Sequence, residues 1–121
     1  GWRFAMEFRH PSFHCDEARA QLAAAGVALC VADTEDPGDN AGRPDLVCTA
    51  DFAYLRLRRG GYDEAALGSW GEAIGAVLAG GTDVFAFFKH EDSATGPRHA
   101  AVLMGASSSP GATSRPARPR P

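Results

Sequence analysis

The sequence predicts an α/β domain built on a parallel sheet. Two observations carry that prediction. Four short apolar runs alternate with helical patterns, and strands that alternate with helices are joined by right-handed crossovers, which leave neighbouring strands parallel. Each run is also apolar where it begins and charged where it ends: Glu7 with Arg9, Asp33, Arg56 with Arg58, and Lys89 with His90. In parallel α/β folds the carboxyl ends of the strands are where ligands bind.

Taken in order, residues 4–8 read as the first strand. Phe4, Met6 and Phe8 alternate with Ala5, Glu7 and Arg9, the period of two that separates the faces of a strand. Pro11 cannot donate to a ladder and stops it. A helix is predicted over 16–25, with Asp16 and Glu17 at its positive end, a stripe of Ala18, Leu22 and Ala25, and Gly26 as a left-handed cap. Residues 27–32 (VALCVA) are almost continuously apolar, as a strand covered on both faces should be. Pro, Gly, Asn and Asp dominate 34–45, which reads as a long loop.

The third strand is 52–57 (FAYLRL), and Gly60 and Gly61 form the turn after it. Asp63 then caps a helix running to about residue 78, with Leu67, Trp70, Ile74, Val77 and Leu78 on its docked face. The fourth strand is 83–88 (DVFAFF), and a last helix starts near Pro97 and ends near Met104. Residues 105–121, rich in Ser, Pro, Gly and Arg, read as a disordered tail behind a domain of 1–104.

Composition narrows the functional classes. The chain has 15 acids against 12 bases, and three of the bases are arginines of the tail. A nucleic-acid binder would carry a basic patch, so nucleic acid is not expected as a partner. No signal peptide or long apolar span is present, so a cytoplasmic protein without a membrane partner is expected. Cys15, Cys30 and Cys48 are odd in number and widely spaced, which argues against a disulfide framework or a zinc site. Cys30 lies in an apolar run and reads as core.

The charged strand ends supply the candidate site. Glu7 is the candidate acid/base. Arg9, Arg56 and Lys89 are candidate clamps for anions or hydroxyls, because a guanidinium fork binds carboxylate or phosphate with two parallel bonds. His10, Asp33, Tyr54 and His90 complete the set of ligand-facing candidates. Alternation puts Tyr54 and Arg56 on one face of the third strand, opposite Ala53, Leu55 and Leu57, so a Glu7–Arg56 or Glu7–Arg9 pair is expected. The competing reading is an ion pair with a purely structural task. His10 and His90 with Glu7, Asp33, Glu91 or Asp92 would suit a metal, but no HExxH or comparable spacing appears and three cations crowd the site. No metal and no cofactor is expected.

The segments AMEFRHPSF, VALCVAD, FAYLRLRRGGYDEAALGSW and DVFAFFKHEDSATGPRHA come in the order and spacing of the YecE-like proteins, the DUF72 family, and this chain resembles that family over roughly 3–104. The resemblance implies a TIM-like (β/α)8 barrel, of which four strands with helices on the outer face would be the C-terminal half. A full barrel needs eight such units, and the chain opens on Gly1 with strand-like sequence almost at once, so a missing start is expected. The family has no established reaction. The implied function is the ligand-facing half of a barrel that takes a small anionic or sugar-like molecule. The alternative is a non-catalytic remnant or interaction module whose partner, a second copy or the N-terminal half, completes the ring.

Overall fold

The computed structural model describes residues 1–35, 43–89 and 95–107. Four strands run in the order β1 (Ala5–Met6), β2 (Ala28–Asp33), β3 (Phe52–Leu57) and β4 (Asp83–Phe88), and every neighbouring pair is parallel. The helices are α1 (Asp16–Ala25), α2 (Glu64–Ala79) and α3 (Thr95–Ser107). The sheet is open, with β1 and β4 as its edges.

Register divides the side chains between two faces. Val31 pairs with Leu55, and Leu55 with Ala86; Asp33 pairs with Leu57, and Leu57 with Phe88. These residues face α2 and α3, whose Leu67, Trp70, Ile74 and Leu103 close the core with Val31, Leu55, Leu57 and Tyr62. The opposite face carries Cys30, Tyr54, Arg56, Phe85 and Phe87. Phe85 and Phe87 remain 41% and 51% exposed there, so among the described residues this face has no second layer.

Local chemistry accounts for the element ends. Gly26 caps α1 with φ 68, a left-handed conformation that costs glycine nothing. Asp63 caps α2 by accepting the Ala66 N–H at 2.7 Å. Thr49 extends the pairing of β2 beyond the start of β3: its hydroxyl donates to Val27 O at 2.7 Å and accepts the Leu29 N–H at 2.8 Å. Where α3 crosses α2, Gly71 leaves room for Ala106. A Cβ on Gly71 would lie 2.6 Å from the Cβ of Ala106.

Three expectations need adjusting. The first strand covers two residues rather than 4–8, because the chain after Met6 is drawn into local contacts. Phe8 stacks on Phe13 at 4.9 Å, and His10 caps a 3-10 turn at Pro11–Phe13. Leu78 is exposed, since the docked face of α2 ends near Ile74. Helix α3 runs three residues past Met104, into the expected tail; its remainder, 108–121, lies outside the described residues, as does most of the long loop.

Candidate functional site

The first constellation sits on the open face. Glu7 follows the last paired residue of β1, and Arg56 is the fifth residue of β3. Arg56 Nη1 donates to Glu7 Oε2 at 2.8 Å, so the pair reaches over the intervening strand β2. Both side chains keep part of their surface in solvent, 34% for Arg56 and 20% for Glu7. Beneath them is a shallow cavity of about 380 Å³ lined by Ala5, Glu7, Cys30, Tyr54 and Arg56, within the size range of small-molecule sites. Tyr54 forms one wall and packs on Phe87 with ring centroids 5.2 Å apart.

Cys30 lies at the floor. Burial pushes its thiol up to about 11; the charge of Glu7 adds to the shift and that of Arg56 opposes it. A thiol in that state is a protonated packing group rather than a nucleophile. The chemistry this cavity offers is therefore a carboxylate and a guanidinium held side by side. The carboxylate can accept from a hydroxyl, and the remaining N–H donors of the fork can hold an oxyanion.

Asp33 also ends a strand, yet it faces the other way. Its position opposite Leu57 turns it toward the helices, where it is 2% exposed. Three donors meet its two oxygens: Arg59 Nε at 2.7 Å on Oδ1, and Tyr62 OH at 3.2 Å and Trp70 Nε1 at 3.1 Å on Oδ2. A buried carboxylate needs such partners. Burial above all raises the Tyr62 hydroxyl well beyond its ordinary value, with the Asp33 charge contributing in the same direction, so it stays a donor.

The structure thus brings together Glu7, Tyr54 and Arg56, and sets Asp33 apart from them on the far side of the sheet. Arg9 is exposed and does not line the cavity beneath Glu7. His10 is exposed and turned to its own loop, its Nδ1 lying 2.7 Å from Ser12 Oγ. Lys89 is exposed just past β4, its backbone N–H bonded to Leu57 O at 3.0 Å. His90, Glu91 and Asp92 lie outside the described residues. Among the described residues, no three of His, Cys, Asp and Glu stand close enough to hold a metal ion, and no helix is long and apolar enough to cross a membrane.

Sequence reasoning gave neither Arg59 nor Tyr62 a role as a partner of Asp33 and placed Trp70 on the docked face of the second long helix. The available signal was a tyrosine and a tryptophan, both with a polar tip that needs a partner when buried, after the strand next to the one that ends in Asp33.

A comparison with protein families matches residues 1–121 to the family described as "Protein of unknown function DUF72". No curated protein and no solved structure matches the chain.

Proposed function

We propose, for a chain that belongs to the DUF72 family, that its open sheet face is the ligand-facing wall of a (β/α)8-type barrel. The ligand is a small anionic or sugar-like molecule held over Glu7, Tyr54 and Arg56. The observation that carries this reading is the 2.8 Å Glu7–Arg56 pair at the carboxyl ends of β1 and β3, above a cavity rather than inside the core. In this reading Arg56 fixes the carboxylate and binds the anionic or hydroxyl group, and Glu7 exchanges the proton. Exposed apolar side chains support the barrel geometry. Phe85 and Phe87 stand on the face that a closed ring would enclose. Phe4 and Met6 at one edge, and Val102 and Met104 on the helix that follows the other, are likewise uncovered.

The test is a ligand screen read by thermal shift, comparing sugars, sugar phosphates and small carboxylates on the wild-type chain and on Glu7→Gln. A hit that raises Tm in the wild type and loses most of that shift in the variant is expected. Equal shifts in both proteins overturn the role of Glu7.

The uncovered phenylalanines favour one alternative, an interaction module whose partner covers the sheet face. Sizing the same samples reads it directly. A stable monomer in which Phe87→Ser changes neither size nor solubility counts against it.

A further inference from the structure

We propose a second binding site on the opposite side of the sheet, for the oxyanion group, phosphate or carboxylate, of a small molecule. It is an open groove of about 820 Å³ between the β3–α2 loop, the first turns of α2 and the start of α3. Two guanidiniums line it, Arg43 and Arg59, and both are anchored through the inner edge of the fork. Arg59 Nε is held by the buried Asp33 at 2.7 Å. Arg43 Nε donates to Ser69 Oγ at 2.9 Å, and its guanidinium lies 4.8 Å from the ring centre of Trp70. A guanidinium stacked and hydrogen-bonded in this way has lost its freedom before any ligand arrives, so less is lost on binding.

The two acids of the lining are engaged by donors, whereas one of its two guanidiniums has no carboxylate partner among the described residues. Asp33 is surrounded by three donors and 2% exposed, so its charge is spent on Arg59. The second acid of the lining, Asp63, has Oδ1 engaged by the Ala66 N–H. Arg43 pairs with no carboxylate among the described residues. The Gly60 N–H is already taken by the carboxylate of Glu35, so the free N–H donors of the two guanidiniums make the contacts to the anion. His99 closes the groove from α3, edge-on to Tyr62 at 5.6 Å, and supplies a further polar group. Small residues along the floor, Gly61, Ala65 and Ala66, leave the width open.

The site is independent of the Glu7–Arg56 cavity, so the two readings stand or fall separately. The experiment titrates the full chain with inorganic phosphate, and in parallel with acetate at matched ionic strength, followed by backbone amide NMR. Saturable shifts at Gly60 and Gly61 are expected, whether or not Ala5 and Glu7 respond. Arg43→Gln, an exposed position that leaves the Asp33 network intact, should weaken binding at least about ten-fold. Glu7→Gln should change it less than about two-fold. No saturable shift at Gly60 and Gly61 with either anion, or unchanged affinity there in Arg43→Gln, would each overturn the proposal.

Discussion

Replacing Asp33 by asparagine separates a scaffold residue from a ligand residue. The wild-type carboxylate accepts from Arg59 Nε, Tyr62 OH and Trp70 Nε1 while 2% exposed. Asparagine keeps the shape but has one acceptor oxygen and one NH2 donor. With its oxygen toward Arg59, its NH2 meets the indole N–H of Trp70; turned over, it meets Arg59. Either way a donor faces a donor in the core, and the charge opposite Arg59 is gone. A hydrogen bond to a charged group contributes about 1.5–3 kcal/mol, and an orphaned buried donor costs about 1–3 kcal/mol. Arg59 is 38% exposed, so water recovers part of its loss, and the net cost comes to about 2–4 kcal/mol. For a domain of this size, with a stability on the order of 5–10 kcal/mol, that is a large fraction. Urea unfolding followed by Trp70 fluorescence measures it as a drop in midpoint. A change below about 1 kcal/mol, or a gain in stability of the kind released when a ligand-binding charge is neutralised, would refute the scaffold assignment.

Two further outcomes follow from the packing. Gly71→Ala places a methyl 2.6 Å from the Ala106 Cβ and 2.9 Å from its backbone carbon; α3 must then move off α2, and a loss of about 1–3 kcal/mol in thermal or urea unfolding is expected, against a helix-propensity gain of about 1 kcal/mol. A stabilised variant would show that the two helices do not cross there. Cys30 has a folded value of about 11 against an ordinary 9.0, so its contribution to stability is complete below pH 9.0 and lost as pH rises through about 11. At about pH 8, aromatic disulfide reagents should modify the exposed Cys15 and Cys48 at least ten-fold faster than Cys30; equal rates for all three would contradict its burial.

Much of the candidate site was legible in the one-dimensional pattern. Alternation along FAYLRL places Tyr54 and Arg56 together and opposite Leu55 and Leu57. The same alternation carried forward from Ala5 puts Glu7 on the matching face, and the structure joins Glu7 to Arg56. The Gly26 and Asp63 caps were equally readable, because capping depends on a few adjacent residues. The surroundings of Arg9 and His10 were less legible, because the first strand stops at Met6: Phe8–Phe13 stacking and the His10 cap are local contacts formed beyond an edge ladder with one neighbour.

What pattern alone settled here is the order of elements, their parallel sense and the polarity of each strand, since these follow from periodicity and connection length. Asp33 shows where that reach ended. A charged residue at the end of a strand looks alike whether it turns to a cavity or to a helix. Only register, with Asp33 beside Leu57, and the arrival of Arg59, Tyr62 and Trp70 from 26, 29 and 37 residues away decided that its charge would be buried and spent on the scaffold. Tertiary packing chooses between the two because the cost of burying a carboxylate is met by partners distant in the chain, and no local pattern encodes their positions.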